Sequence, residues 1–214
     1  MERKRNISMA VIKRLPKYQR YLREMLNNDV DRISSKELSE KIGFTASQIR
    51  QDLNCFGDFG QQGYGYNVRD LYNEISSILG LNRVYKEVII GAGNIGQAIA
   101  NYTRFDKLGF SLEAIFDANP KLIGLRIRDV EIQDIDQLSN FLKNNHIDIG
   151  VICVPRINAQ KVCDMLVEGG VKGIWNFAPV DLVVPEDVIV ENVHLSESIL
   201  TLTYLLNERD KQNK

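Results

Sequence analysis

A glycine-rich turn at residues 91–96 is the part of the sequence whose residue types and spacing point most directly to chemistry. It reads Gly91-Ala92-Gly93-Asn94-Ile95-Gly96, follows apolar strand residues 88–90, and precedes a helical segment predicted to begin at Gln97. The first glycine makes the turn, the second lets a pyrophosphate approach the backbone, and the third allows close packing of helix on strand. The N-terminus of the helix offers backbone N–H groups to phosphate. The pattern predicts a dinucleotide site.

Asp117 stands 21 residues beyond Gly96, at the end of the next predicted strand. A carboxylate there can accept hydrogen bonds from both ribose hydroxyls and repels a 2′-phosphate, which favours NAD(H) over NADP(H). We also expect five residues at or just after the ends of later strands to bind the cofactor: Val154, Pro155, Asn176, Ala178 and Pro179. Two alternatives stay open. The turn can bind nothing, with Asp117 as a simple cap, or the ligand can be another nucleotide such as CoA.

The rest of the chain supplies no recognisable acid-base set for a hydride-transfer enzyme. His146 and His194 are the only histidines, and His146 lies in a polar loop where solvent exposure is expected. Cys153 and Cys163 fall in apolar patterns that are typical of buried, inert thiols. The sequence therefore predicts binding without turnover, with no catalytic residue and no metal site.

Two short capped helices between residues 34 and 56 form a second functional pattern. Ser34 and Glu37 have the spacing of a capping box, Gly43 ends that helix, and Thr45 with Gln48 repeats the capping spacing. Such a pair is typical of a helix-turn-helix, in which outward residues at the start of the second helix meet base edges in the major groove. The residues assigned to DNA are Ser47, Gln48, Arg50 and Gln51.

Glycines alternate with aromatic and polar residues over 56–66, which predicts a β-hairpin with a tight tip. Side chains at that tip can reach the minor groove or the DNA backbone, so the hairpin would act as a wing. We assign Gln61, Gln62 and Tyr64 to DNA for this reason. The alternative is that the two helices and the hairpin are only a structural domain.

Charge is distributed unevenly, although the formal net charge is −1. Residues 1–85 contain 14 Lys and Arg against 10 Asp and Glu, whereas residues 86–214 contain 13 against 18. The first 25 residues are the most basic, and such an arm either neutralises phosphates or is only a solvated face. The three cysteines lack metal-type spacing and no apolar run is long enough to cross a bilayer, which predicts a cytoplasmic protein.

The pattern of elements predicts an α/β chain with three parts. Residues 1–80 would form a winged helix-turn-helix domain that includes a connecting helix, and Pro16 would either kink the first helix or start its main part. Residues 84–193 alternate short apolar strands with helices, which predicts a Rossmann-like, doubly wound parallel sheet. Residues 194–210 carry an apolar helical stripe with little sequence left to cover it, and we expect this helix to pack on another subunit.

Seven motifs between Ser8 and Leu206 carry a family resemblance. They are R-L-P-K-Y-Q-R-Y-L from Arg14, I-S-S-K-E-L from Ile33, F-T-A-S-Q-I-R-Q-D-L from Phe44, F-G-Q-Q-G-Y-G-Y-N-V from Phe59, G-A-G-N-I-G-Q-A-I-A-N-Y from Gly91, F-D-A-N-P from Phe116 and W-N-F-A-P from Trp175. With these motifs the chain resembles the Rex family of bacterial redox-sensing repressors.

The resemblance implies a homodimer whose winged helices bind a palindromic operator, while NADH and NAD⁺ compete for the Rossmann domain. NADH releases DNA in that family and NAD⁺ permits binding. The resemblance also implies that the closing helix is swapped between subunits, which agrees with the uncovered stripe. The family often carries lysine where this chain has Gln51, so operator preference can differ at that position.

The resemblance further implies a switch in which Arg20 and Tyr102 exchange hydrogen bonds with an acidic residue just before the swapped helix. This sequence has His194 where that acid aligns. A histidine can donate where an aspartate accepts, and it can add pH dependence near neutrality. It can equally well cap or pack without any role in switching, so both interpretations stay open.

The charge of the nicotinamide suggests how the two redox states would be told apart. An apolar pocket near the dimer interface accepts the neutral reduced ring and disfavours the cationic oxidised ring. Ring burial would select a compact dimer and change the ~34 Å separation that two recognition helices need on DNA. Two rival interpretations are an NAD-dependent oxidoreductase with an accessory N-terminal domain and a nucleotide-binding module whose helix-turn-helix is only an interaction surface.

Overall fold

The computed structural model describes residues 7–57, 60–61 and 64–212, without the side chains of residues 60 and 61. The chain divides into two compact units, Met1–Arg83 and Val84–Lys214.

The N-terminal unit combines helices with a small antiparallel sheet. Its elements are α1 (Met9–Ile12), α2 (Leu15–Asn27), β1 (Arg32–Ile33), α3 (Ser35–Ile42), α4 (Ala46–Asn54), β2 (Gly60–Gln61), β3 (Gly65–Asn67) and α5 (Val68–Ile78). The strand order is β1-β3-β2. Pro16 lies in the first turn of α2, where its missing N–H costs nothing, so the proline starts this helix rather than kinking it. The two-residue strand β1 was not predicted.

The predicted caps fix where α3 and α4 begin. The Ser34 hydroxyl accepts from the Glu37 N–H at 3.1 Å, and the Glu37 carboxylate accepts from the Ser34 N–H at 2.8 Å, which confirms the capping box. Gly43 has a φ of 73°, the left-handed conformation that ends α3. The Thr45 hydroxyl accepts from the Gln48 N–H at 3.1 Å. The order helix, turn, helix is therefore set by local hydrogen bonds.

One apolar core joins the helices of this unit. Residues from α2, α3, α4 and α5 are buried together, including Leu15, Tyr18, Leu22, Leu38, Ile42, Ile49, Leu53, Leu71 and Ile75. Burial of one such side chain contributes about 1.5–3 kcal/mol. Because Ile49 and Leu53 face this core, the opposite side of α4 is held toward solvent.

The C-terminal unit is a mostly parallel α/β sheet. Its elements are β4 (Tyr85–Ile90), α6 (Asn94–Ala100), β5 (Phe110–Asp117), β6 (Arg126–Ile127), β7 (Val130–Asp134), α7 (Leu138–Asn144), β8 (Ile149–Ile152), α8 (Arg156–Glu168), β9 (Gly173–Asn176), β10 (Ile189–Asn192) and α9 (Leu195–Gln212). The order is β10-β9-β8-β4-β5-β7-β6, in which only the β6 pairing is antiparallel. The Rossmann-like fold is confirmed, and the β6–β7 hairpin is an addition to the predicted strands.

The sheet is covered differently on its two faces. Val88 and Ile90 of β4 pack with residues of α7 and α8, whereas the intervening Ile89 packs with Ala100 of α6 on the other face. The chain passes from β4 to β5 on one side and returns to β8 on the other. This reversal makes the carboxyl ends of β4 and β8 the topological switch point, where open α/β sheets bind ligands.

The C-terminal helix α9 has no buried residue along its 18 residues. Its exposed apolar side chains are Leu195, Ile199, Leu200, Leu202, Tyr204, Leu205 and Leu206. Neither α9 nor any other helix in the described part of the chain is long and apolar enough to span a membrane.

Candidate functional site

The three glycines of the 91–96 turn occupy three different environments. A Cβ on Gly91, whose φ is +100°, would lie 2.6 Å from the Cys153 carbonyl oxygen. A Cβ on Gly96 would lie 1.9 Å from the carbonyl oxygen of Gly91, a distance that no side chain tolerates. A Cβ on Gly93 would meet no protein atom within 4 Å. The fold therefore requires the first and third glycines, while the second faces open space.

Helix α6 begins at Asn94, three residues earlier than predicted, with Gly93 as its N-cap. No side chain caps this end, and the backbone carbonyl of Gly93 accepts from the Gln97 N–H at 2.9 Å. The N–H groups of the first helical turn have no acceptor within the helix. They lie beside the space next to Gly93, which is the arrangement that binds a pyrophosphate.

Asp117 joins the end of β5 to the glycine turn. One carboxylate oxygen accepts from the Ala92 N–H at 2.6 Å, and the other accepts from the Asn119 N–H at 2.7 Å. The Gln97 side chain donates to the Ala92 carbonyl at 2.8 Å and holds the same turn from the helix side. A carboxylate oxygen can accept more than one hydrogen bond, so Asp117 keeps acceptor capacity for ribose hydroxyls.

A cavity of about 740 Å³ opens at the carboxyl ends of β4, β5, β7 and β8. Eight predicted cofactor residues line it: Gly91, Gly93, Asn94, Ile95, Asp117, Val154, Pro155 and Pro179. Ligand cavities in proteins span about 300–1,000 Å³. The size of the cavity, the space at Gly93 and the carboxylate of Asp117 together fit a dinucleotide.

Four other predicted residues lie outside the cavity wall. Ala92 and Gly96 shape the turn from behind. Asn176 is fully buried, where its amide donates to the Val180 carbonyl and its oxygen accepts from the Ala178 N–H at 3.0 Å. Asn176 and Ala178 thus hold the loop that brings Pro179 to the cavity.

Sequence reasoning missed much of the cavity wall. The additional lining residues include Ala118, Asn119, Leu122, Ile135, Asp136, Cys153, Asn158, Lys161, Val162, Met165 and Phe177. Asp136 follows β7, a strand that was not predicted, so no signal placed it at this edge of the sheet. Cys153 was expected to be buried, but it is half-buried and lines the cavity. Desolvation of its thiol raises the pKa to about 12, which leaves the thiol neutral near pH 7.

The outward face of α4 presents the side chains predicted to contact DNA. Ser47, Arg50 and Gln51 are exposed and Gln48 is half-buried. A guanidinium nitrogen of Arg50 donates to the Ser35 hydroxyl at 2.9 Å, across the two helices of the pair.

The hairpin tip falls largely outside the described residues. Tyr64 is 70% exposed and its carbonyl accepts from Arg32 at 3.4 Å. Gln62, the side chain of Gln61 and the basic residues before position 7 lie outside the described part of the chain. Their assignments to DNA stay predictions.

A buried carboxylate lies behind the outward face of α4 and was not anticipated. Asp52 accepts two hydrogen bonds from the Arg14 guanidinium, both at 2.6 Å, and one from the Tyr18 hydroxyl at 2.6 Å. Burial raises the pKa of Asp52, but these bonds outweigh it and leave the pKa below its ordinary value. No local pattern in the sequence pairs residues 34 to 38 positions apart, which is why the cluster was missed.

The three proposed switch residues belong to the two units, Arg20 to the first and Tyr102 and His194 to the second. Tyr102 is 46% exposed, and its ring contacts that of Phe105 with centroids 4.8 Å apart. His194 precedes α9, where its imidazole lies 4.0 Å from the Asp181 carboxylate and its carbonyl accepts from the Glu197 N–H. Arg20 lies over the ring of Tyr21 in the N-terminal unit. The switch stays a prediction for all three.

Comparisons with known proteins cover both units. Residues 6–54 match the family described as "Putative DNA-binding protein N-terminus", and residues 82–180 match the CoA binding domain family. The redox-sensing transcriptional repressor Rex of Clostridium perfringens is 75% identical over 98% of this chain and 99% of its own length. The chain belongs to the Rex family. Rex of Clostridium botulinum strain Alaska E43 is 74% identical over 98% of this chain and 100% of its own length.

Solved structures of a Rex-family repressor, RSP, have the same fold as this Rex chain. RSP in complex with β-NAD⁺ and operator DNA is 63% identical, with a TM-score of 0.89 over 97% of this chain and 95% of that one. RSP in complex with β-NADH is 60% identical, with a TM-score of 0.89 over 99% and 100%. The resemblance to Rex stated from the seven motifs is confirmed.

Proposed function

We propose that this chain represses transcription by binding operator DNA as a homodimer and that NADH binding to its C-terminal unit releases the operator. The observation that carries the proposal is the full-length likeness to a Rex-family repressor solved once with NAD⁺ and operator DNA and once with NADH. The chain is then a sensor of the NADH/NAD⁺ ratio and a regulator rather than an enzyme. An NAD-dependent oxidoreductase is not favoured, because the close relatives are repressors.

Different residues of the cavity bind different parts of the nucleotide in this proposal. The first turn of α6, beside Gly93, donates backbone N–H groups to the pyrophosphate. Asp117 accepts from ribose hydroxyls and repels a 2′-phosphate, which selects NAD(H) over NADP(H). Apolar side chains that include Ile95, Val154 and Pro179 line much of the remaining wall. When bound, the nicotinamide supplies a ring that is cationic in one redox state and neutral in the other, and an apolar wall favours the neutral form.

The outward face of α4 enters the major groove of each operator half-site. Gln48 and Gln51 can pair with adenine, and Arg50 can pair with guanine or a phosphate. The hairpin, with Gln61, Gln62 and Tyr64, acts as a wing on the flanking DNA. Two such heads on a homodimer require an inverted repeat, with the recognition helices about 34 Å apart.

The chain is organised into a DNA-binding domain (1–80), an NAD(H)-binding domain (84–193) and a closing helix (194–210). The exposed apolar side chains of α9 support a helix that is covered by the second subunit, because monomers rarely leave so large an apolar stripe in water. We infer that α9 is exchanged between the two subunits and fixes the dimer.

Ligand binding is transmitted through Arg20, Tyr102 and His194 in this proposal. Half-exposure of the Tyr102 side chain leaves its hydroxyl available for a new partner. His194 stands at the start of α9 with an acidic neighbour, Asp181, so it can act as a donor. Because its proposed binding partner is chromosomal DNA, we place the protein in the cytoplasm of a bacterial cell.

A titration of labelled inverted-repeat duplex with the protein tests the proposal. NADH should release the duplex at concentrations at which NAD⁺ does not, as measured by fluorescence anisotropy at fixed salt. Equal effects of the two nucleotides, or no effect of either, would contradict the redox-sensing function. Duplex binding that is no tighter than binding to a scrambled sequence would contradict the operator-binding function.

A further inference from the structure

Three residues of the N-terminal unit form a buried polar network, which we call the Asp52 network: Arg14, Tyr18 and Asp52. The Asp52 side chain is 3% exposed, and Arg14 is 20% exposed. Arg14 donates through two nitrogens to the two carboxylate oxygens of Asp52, which is the bidentate geometry, and Tyr18 donates to one of the same oxygens. Charged side chains are seldom buried unless they are paired, so the network calls for a physical reason.

The network joins two helices that the proposed function uses for different tasks. Arg14 immediately precedes α2 and Tyr18 lies in its first turns, whereas Asp52 lies in the second half of α4. Asp52 faces inward, next to Leu53, and the exposed Arg50 and Gln51 lie on the other side of α4. The network therefore contacts α4 on its buried side, opposite the exposed residues that we propose to bind DNA.

Stability alone does not account for such a network. Removal of one partner from a buried ion pair destabilises strongly, but replacement of both partners by apolar residues is often neutral or stabilising. Apolar contacts are non-directional, so Leu53 and its neighbours permit small rotations of α4. A planar guanidinium that donates to both oxygens of a carboxylate restricts their mutual orientation. The network is thus suited to fix the rotation and register of α4 against α2.

We propose that Arg14, Tyr18 and Asp52 are positioning residues that lock the recognition helix α4 to α2, so that α4 moves with α2 when the ligand state changes. The second half of this inference rests on the proposed function, in which Arg20 belongs to the switch. Arg20 lies in α2, six residues beyond the N-cap residue Arg14, which is about 9 Å along the helix axis. A displacement applied at Arg20 therefore reaches α4 through a directional contact.

The orientation of α4 and the coupling of NADH binding to DNA release can be measured separately on the full-length protein. The double variant Arg14→Met, Asp52→Leu replaces the ion pair by two apolar side chains and removes both charges, and Asp70→Asn, at an exposed site in α5, is the control. Without nucleotide, the ratio of the affinity for inverted-repeat duplex to the affinity for scrambled duplex should fall by about tenfold in the double variant. The reason is that contacts to bases depend on the orientation of α4, whereas contacts to phosphates depend on it much less. NADH affinity should be unchanged, and the NADH-induced loss of operator affinity should shrink by a factor of at least about five.

An unchanged operator-to-scrambled ratio in a folded double variant would overturn the inference. Arg14→Lys provides a second test if the double variant does not fold, since lysine keeps the charge but cannot bind both oxygens in the bidentate manner. It should lose part of the same ratio, and full retention would again overturn the inference. The operator-to-scrambled ratio is measured without nucleotide, so it tests the inference even if the wild-type protein does not respond to NADH. A lack of response to NADH would refute the proposed function and not this inference.

Discussion

The carboxylate of Asp117 accepts a 2.6 Å hydrogen bond from the backbone N–H of Ala92, which fastens the end of β5 to the glycine turn after β4. The same carboxylate faces the cavity. Asp117 therefore shapes the glycine turn, and in the proposed function the same carboxylate presents acceptors to the ribose. We therefore expect a substitution at this residue to weaken nucleotide binding by both routes.

Asp117→Ala should weaken NADH binding by about 10- to 100-fold, since hydrogen bonds to a charged group contribute about 1.5–3 kcal/mol. Operator affinity without nucleotide should stay at the wild-type value. Titration of NADH by fluorescence, alongside anisotropy of labelled operator, measures both quantities. An Asp117→Ala protein that still responds to wild-type concentrations of NADH would show that the carboxylate does not hold the ribose.

Two alanine substitutions in the glycine turn should have opposite consequences. Gly93→Ala should fold with wild-type stability, because a Cβ there meets no protein atom within 4 Å, but it should lose nucleotide affinity because the methyl group occupies the path of the pyrophosphate. Gly96→Ala should lose stability, since its Cβ would collide with the Gly91 carbonyl. Thermal unfolding and NADH titration of both variants separate the two effects. Equal stability losses would mean that Gly93 does not face ligand space.

Arg50→Ala should weaken operator binding by about 1–3 kcal/mol if Arg50 pairs with a base, while NADH affinity is retained. If Arg50 binds a phosphate instead, binding to the operator and to the scrambled duplex should be weakened alike. The slope of log affinity against log salt concentration should then decrease in magnitude by about one. Arg69→Ala, at an exposed position in the first turn of α5, is the matched control. Wild-type affinity for both duplexes in Arg50→Ala would remove this residue from the DNA interface.

Glu87 should make folding stability fall as pH rises from about 4.5 to about 7. Burial in β4, with a smaller effect of the Asp106 charge, raises the pKa of Glu87 from 4.5 to about 7. The unfolded chain therefore loses this proton first, and the cost of burying the charge grows between about pH 4.5 and pH 7 and is constant above. Glu87→Gln should remove that slope and stabilise the protein by up to about 3 kcal/mol at pH 8. Chemical denaturation at pH 5 and pH 8 checks this, and an equal effect of the substitution at both pH values would contradict it.

The glycine turn, the two capped helices and the alternation of strands and helices were predictable because each rests on residues close together in the sequence. Ser34 and Glu37 are three residues apart, and Gly91 and Gly96 five. Element limits were less accurate. Helix α6 begins before Gln97 because Gly93 supplies an N-cap with no polar side chain to mark it. The strand β7 was missed because polar side chains interrupt its apolar residues.

Features formed by residues that are far apart in the sequence could not be predicted from the sequence alone. Asp52 lies 38 positions from Arg14, and nothing near either residue indicates the other. Asp136 and Lys161 come together at the cavity only through the order of strands in the sheet. Asn176 was assigned to the cofactor from its place at a strand end, but its amide is used within the protein.

The distance between the two DNA-binding units of the dimer, measured in each redox state, tests the proposed switching mechanism most directly. A spin label on Glu40→Cys, an exposed residue of α3, in a Cys55→Ser background reports this distance by pulsed electron resonance. The distance distribution with NAD⁺ should match that of the operator-bound protein, and NADH should shift it. Identical distributions with NADH and NAD⁺ would contradict the claim that ligand binding releases DNA by moving the heads.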